Sequence, residues 1–180
     1  MRLGAIINHE GASKIIGEHF PEIKDKLLSF SYRVPTPTVA SSDLVLNVKE
    51  NGLEEKLLKT MQNFNIENFF ILDQSFPYLI NTINNGEKRC AARLSEYETI
   101  NSVLSLKNKL IWVWIDFFTK FPIDFETYKI LKKNNFKLCI VSPELQGHKN
   151  SKCIDLKNFI KSNKMYFDAV CTKKVKFWEV

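Results

Sequence analysis

From Asp43 onward, short unbroken apolar runs alternate with stretches of helical periodicity, and this alternation restricts the chain to an α/β fold on parallel strands. The runs are Leu44–Lys49, Asn68–Asp73, Lys88–Arg93, Leu110–Asp116, Phe136–Ser142 and Asp168–Thr172. Between the first two, Leu53, Leu57, Leu58 and Met61 repeat at helical spacing after the Asn51-Gly52 turn. Further helices are predicted from Pro77 to Ile83, Tyr97 to Leu106, Asp124 to Lys133 and Ile154 to Lys161. A parallel crossover takes at least about a dozen residues, and each interval is long enough for one helix. The runs are continuously apolar, as expected of strands covered on both faces. Lys49, Asp73, Arg93, Asp116, Ser142 and Thr172 end or follow them. The carboxyl ends of parallel strands form the site face of barrels and open α/β sheets, although chains also turn polar wherever they leave a core.

The first forty residues are patterned differently. Gly11 to Leu27 reads as a helix with Ile15, Ile16, His19, Phe20 and Ile23 on one side, broken near Phe20 by Pro21. Ser29 to Val34 alternates as a half-buried strand does, and Pro35 and Pro37 extend the chain beyond it. A shift in composition at Ala40–Asp43 divides a helix-strand segment, residues 1–42, from a larger unit, residues 43–180.

Composition narrows the class of partner. A net charge of +6 favours anionic ligands. The lysines are spread over helix faces without a dense basic tract, and the Phe69-Phe70 and Phe117-Phe118 pairs sit inside apolar runs, so nucleic acid is not an expected partner. No stretch approaches the ~20 apolar residues of a membrane-spanning helix, no signal peptide is evident, and a cytoplasmic location is expected. The four cysteines, Cys90, Cys139, Cys153 and Cys171, form no CxxC pair. The first two and Cys171 fall in or beside strand runs as small hydrophobes.

Several residues have two readings. His9 and His19 are a proton-transfer pair or, more simply, a surface residue and a helix-packing residue. His148, beside Gly147 in a loop after the fifth run, is a candidate ligand contact. Glu96 and Glu98 face the site or favour a helix N-terminus through its dipole. Glu144 either binds substrate or stabilises a strand end, and Asp73 and Asp116 either line a barrel mouth or cap helices. Trp112 and Trp114 share one face of their strand and read as core.

Residues 44–172 resemble the later part of glycerophosphodiester phosphodiesterase-like TIM-barrel proteins of the kind found in bacterial polysaccharide loci. The likeness rests on Leu46-Asn47-Val48-Lys49 with Asn51-Gly52-Leu53, on Phe70-Ile71-Leu72-Asp73-Gln74-Ser75 with Pro77, and on Arg93-Leu94-Ser95-Glu96-Tyr97-Glu98. Trp114-Ile115-Asp116-Phe117-Phe118, the segment Leu138 to His148, and Asp168-Ala169-Val170-Cys171-Thr172 complete it in the same order. The resemblance implies metal-assisted hydrolysis of a phosphodiester, with a divalent cation (Mg or Ca) and two histidines as acid and base. It also implies that Lys49 touches the phosphate as the catalytic carry-over, and that Asn47 stands where a metal-binding Glu is common. Asn47, Arg93, Glu144 and His148 are the candidate substrate-binding residues at these strand ends and loops.

The family's opening His-Arg-Gly, its metal-binding Glu and Asp, and its second His are not in place. Ile6-Ile7-Asn8-His9-Glu10-Gly11 only mimics the opening, with Glu10 in place of the Arg. No residue set for a metal is therefore assigned, and activity is expected to be weak or lost.

Residues 2–45 resemble a catalytic-domain segment of glyceraldehyde-3-phosphate dehydrogenase. Gly11 to Glu18, Pro21 to Leu27 and Tyr32-Arg33-Val34-Pro35-Thr36-Pro37-Thr38-Val39 carry this likeness, which implies that Arg33 binds phosphate through its planar fork. No Gly-rich dinucleotide fingerprint is present, so oxidoreductase activity does not follow.

The expected fold is an incomplete (β/α) TIM-type barrel of about six parallel strands with an N-terminal helix-strand appendage. The expected function is that of a glycerophosphodiester phosphodiesterase-like protein, truncated and weakly active or inactive, with a small phosphate ester as its partner. The alternative is a non-catalytic fusion product or phosphate-binding module with an N-terminus derived from glyceraldehyde-3-phosphate dehydrogenase. Six strands leave two open sheet edges, so self-association through them is also expected.

Overall fold

A computed structural model describes residues 4–8, 30–33, 44–47 and 52–179. The expected helix from Gly11 to Leu27, together with His9, His19 and Lys49, lies outside the described residues. The strands are β1 (Gly4–Asn8), β2 (Phe30–Arg33), β3 (Leu44–Asn47), β4 (Phe69–Leu72), β5 (Ala91–Leu94), β6 (Trp112–Ile115), β7 (Lys137–Val141) and β8 (Ala169–Cys171). The helices are α1 (Glu54–Asn63), α2 (Phe76–Asn84), α3 (Ile100–Leu104), α4 (Phe125–Lys133), α5 (Asn150–Ser162) and α6 (Val175–Trp178), with a 3-10 turn at Pro143–Gln146.

Local chemistry accounts for the helix boundaries. Asp124 caps α4 by accepting from the Thr127 amide at 2.8 Å, while Glu126 in its first turn and Lys132 and Lys133 in its last suit the helix dipole. Pro77 lies in the first turn of α2, where its missing N–H is not needed. Asn65, Asn135 and Lys164 follow α1, α4 and α5 in the left-handed conformation that ends a helix. The expected helix from Tyr97 is shortened: Thr99 caps α3, and Ser95 and Glu98 form a small antiparallel bridge before it.

The later strands β5, β6, β7 and β8 form an uninterrupted parallel run, with Arg93 opposite Trp114 and Trp114 opposite Cys139. The six expected parallel strands do not form one ladder. β3 and β4 pair with each other as a separate two-stranded sheet, and β4 touches the next strand through a single parallel bridge between Ile71 and Cys90. The N-terminal segment is more than an appendage, because β1 pairs in parallel with β8 and carries β2 on its other side, antiparallel. That pairing covers the edge that β8 would otherwise leave open. Among the described residues no ladder joins β2 to β3.

Strand side chains alternate between two apolar layers. One contains Phe70, Leu72, Ala91, Trp112, Trp114, Cys139, Val141, Ala169 and Cys171. The other contains Ile71, Ala92, Leu94, Val113, Ile115, Leu138, Ile140 and Val170, packed with helix residues such as Met61, Leu79, Leu131 and Leu156. Coverage on both faces explains the unbroken apolar runs. Phe70 stacks on Trp112 at 4.9 Å between ring centroids and tilts against Trp114 at 6.3 Å, so both tryptophans are core.

All four cysteines are buried and free. Burial pushes the Cys90 and Cys171 thiols up to about 12 and raises Cys139 well above its ordinary range. A thiol reacts as its thiolate, so Ellman's reagent is expected to titrate essentially no thiol in the native protein and all four in denaturant. Rapid native labelling would show that a cysteine-bearing strand or helix opens readily.

Candidate functional site

Because the strands run parallel in register, their carboxyl ends share one rim. Arg93 lies on the same face of β5 as Ala91, and Asp116 follows Trp114 with the same parity on β6. The left-handed turn at Asp73 (φ 62°), a conformation that costs a non-glycine residue about 1 kcal/mol, follows β4 directly. These three residues meet. The Arg93 guanidinium donates from Nη2 to Asp73 Oδ1, and its Nε lies 3.4 Å from Asp116 Oδ2. Gln146 Nε2 donates to the other oxygen of Asp116 at 2.8 Å. Neither aspartate caps a helix: the α2 and α4 caps are Ser75 and Asp124.

Burial raises the pKa of Asp116, which is only 3% exposed, against the bonds from Gln146 and the charge of Arg93. Glu98 is also raised, first by burial and then by the nearby charges of Asp116 and Glu96, with Arg93 opposing. Glu96 goes the other way, to about 2, because the Thr119 hydroxyl at 2.7 Å and the amides of Thr119 and Lys120 outweigh its burial. It therefore ties the loop after β5 to the loop after β6, and helix-dipole stabilisation is not its role.

Glu144, in the 3-10 turn, accepts from the hydroxyls of Ser142 and Thr172, from the Lys173 amide at 3.1 Å and from Cys153 Sγ at 3.3 Å. Burial raises its pKa, and these bonds together bring it below the ordinary range. Trp178 of α6 completes the cluster by donating to Ser142 Oγ at 2.9 Å. His148 Nε2 donates to the Phe118 carbonyl at 2.7 Å, with its ring edge-on to Phe117.

The sequence-predicted residues thus fall into three groups. Arg93 and the 3-10 turn bearing Glu144 are linked through Asp116 and Gln146 on the rim, and His148 secures the neighbouring loop. Asn47 ends β3 opposite Leu72, and Arg33 ends β2 opposite Ala5. Lys49 lies outside the described residues. Sequence reasoning missed Gln146 and Gln74, neutral amides that give no titration or motif signal. Gln74 Nε2 donates to Thr82 at 2.7 Å and to Glu54 at 3.3 Å. A cleft of about 560 Å³ opens beside Arg93, lined by Asp73, Gln74, Phe76, Tyr97 and Glu98 among others.

The described residues do not fit a divalent cation. A hard cation takes six or more oxygens at about 2.0–2.6 Å, whereas Asp73 and Asp116 already have a guanidinium between them. Among the described residues no group of three or more His, Cys, Asp or Glu side chains is arranged to hold a metal. No described helix is long and apolar enough to cross a membrane.

The solved glycerophosphoryl diester phosphodiesterase of Parabacteroides distasonis ATCC 8503 superposes with a TM-score of 0.51 over 86% of this chain and 59% of that one, at 12% identity. The chain shares its fold with a phosphodiesterase. Its N-terminal part has a second likeness. Residues 4–83 match the family model of the glyceraldehyde 3-phosphate dehydrogenase C-terminal domain. A glyceraldehyde-3-phosphate dehydrogenase of Serratia marcescens is 38% identical over 53 residues, 29% of this chain and 18% of that protein. The chloroplastic glyceraldehyde-3-phosphate dehydrogenase GAPB of Arabidopsis thaliana is 41% identical over 51 residues, 28% of this chain and 11% of that protein. The chain therefore spans less than a fifth of the length of these curated relatives. Both resemblances read from the sequence are found.

Proposed function

We propose that this protein is an incomplete phosphodiesterase-type barrel that binds a small phosphate ester at the carboxyl rim of its strands and hydrolyses it weakly or not at all. The observation that supports this is the state of the rim: Asp73 and Asp116 converge on Arg93, and Glu144 and Glu96 are engaged by hydroxyls and amides. Phosphodiester hydrolysis with metal assistance needs carboxylates available to a cation and groups that move protons, and these carboxylates are committed to the protein. In this reading Asn47, the last residue of β3, and Lys49, two residues on in the sequence, contact the phosphate, and Arg33 adds a further anion contact. A cytoplasmic location belongs to the same reading, supported by the four cysteines buried as thiols.

Incubation with glycerophosphocholine and Mg or Ca, with release of glycerol 3-phosphate as the readout, tests it. Release at or barely above a protein-free blank is expected, with any residue of activity removed by Lys49→Ala. Cation-dependent turnover in the ordinary enzymatic range of about 1–1000 per second would overturn the proposal. The dehydrogenase likeness over residues 4–83 favours a second reading, a phosphate-binding module without catalysis. It predicts saturable binding of glycerol 3-phosphate that Arg33→Ala weakens.

A further inference from the structure

We infer that the Arg93 guanidinium does at this rim the electrostatic work that a divalent cation would do, so that the rim neither needs nor takes up Mg or Ca. Three carboxylates, Asp73, Asp116 and Glu98, gather where β4, β5 and β6 end. Unbalanced, such a cluster repels itself most strongly where it is driest, and Asp116 is almost wholly buried. Arg93 enters from the middle strand. It is flanked on one side by the turn after β4 and on the other by the end of β6, and its guanidinium reaches both aspartates. The Phe118 ring, 6.0 Å from the guanidinium carbon, adds an aromatic face near the charge. A guanidinium stays protonated at every physiological pH, so the cluster holds a fixed internal cation. A second, doubly charged ion at the same carboxylates would meet like charge at contact distance.

This inference goes beyond the proposed function and is tested without substrate. The full chain is melted in millimolar MgCl2 or CaCl2 and in NaCl of equal ionic strength, and is titrated with Tb3+, whose emission Trp114 can sensitise from the strand beside Arg93. The wild type is expected to melt alike in all three salts and to show no saturable emission that Asp116→Asn removes. Arg93→Gln is expected to melt about 5 °C lower in NaCl and to regain about half of that loss in CaCl2, because Asp73 and Asp116 then lack the guanidinium charge that a divalent ion can replace. Arg93→Lys keeps a cation and is expected to stay insensitive to divalent salt. Saturable, Asp116-dependent ion binding by the wild type overturns the inference, as does an Arg93→Gln protein that ignores divalent ions. If Arg93→Gln does not fold, the wild-type titration and Arg93→Lys still decide. Hydrolysis is read separately by glycerol 3-phosphate release, so failure of one reading is distinguishable from failure of the other.

Discussion

Phe70→Ala is expected to lower the melting temperature by about 10 °C and to leave a population of partly unfolded protein near 37 °C. Phe70 is fully buried, stacked on Trp112 and tilted against Trp114 in the layer that also holds Leu72, Val141 and Cys171. Truncating a buried Phe to Ala costs about 3–5 kcal/mol, through lost transfer energy plus the cavity left behind. For a chain of this length 1 kcal/mol moves the melting temperature by about 2–4 °C. Total stability of a domain is only about 5–15 kcal/mol, so the loss is a large share of it. The two tryptophans lie on one face of β6, which is paired on both sides, and this limits how far the site can collapse. Tyr97→Ala is the control. Its ring is 75% exposed, and its removal is expected to change stability by no more than about 0.5 kcal/mol. Thermal denaturation followed by circular dichroism separates the two, and equal losses would mean that the aromatic layer is not the core of the fold.

Glu144→Ala is expected to cost about 2 kcal/mol at neutral pH and almost nothing at strongly acidic pH. The carboxylate accepts from Ser142, Thr172, the Lys173 amide and Cys153, and so joins the ends of β7 and β8 to α5. Hydrogen bonds to a charged group contribute about 1.5–3 kcal/mol, here reduced because Glu144 is half-buried. Ser142 is wholly buried, so its hydroxyl loses an acceptor that water does not replace, although Trp178 still donates to it. The folded pKa of Glu144 lies below its ordinary value. Its stabilisation is therefore complete above the pKa of the unfolded chain and disappears as pH falls through the folded value. Glu96, held at about 2, contributes in the same sense and extends the acid loss further down. Asp116 and Glu98, raised in the fold, contribute oppositely: what they add is present at low pH and is lost as pH rises through their folded values. Denaturant titrations of wild type and Glu144→Ala between pH 3 and pH 7 check this, since the mutant difference should shrink steadily toward pH 3. A difference independent of pH would show that the charge of Glu144 does not matter.

Much of the later part of the chain was legible because its signals are local. Unbroken apolar runs marked β4, β6, β7 and β8 within a residue or two, and Asp124 and Pro77 marked the starts of their helices. Phase was legible too, since strand side chains alternate, and Trp112 and Trp114 were assigned to the core on that ground alone. The helix expected from Tyr97 was overextended because Ser95, Glu96 and Glu98 are engaged by a bridge and by a neighbouring loop, contacts that helical periodicity does not encode. Of the two readings of Glu96, helix-dipole stabilisation fails for the same reason. The aspartates ending two strands were recognised as either rim or cap, and only the position of Arg93 between them separated the choices.

The amino-acid sequence by itself determined the alternation of strand and helix, the parallel sense of the later strands and the polar character of their ends, because each follows from spacing and side-chain type over a few neighbouring residues. Tertiary structure alone decided that β1 borders β8, that β3 and β4 stand as a separate pair, and that one guanidinium occupies the space between two carboxylates. Those outcomes depend on register and on which distant groups come within a few ångströms of each other. Such pairings are selected by the packing of the whole sheet, where burial makes each charge seek the partner that geometry brings to it.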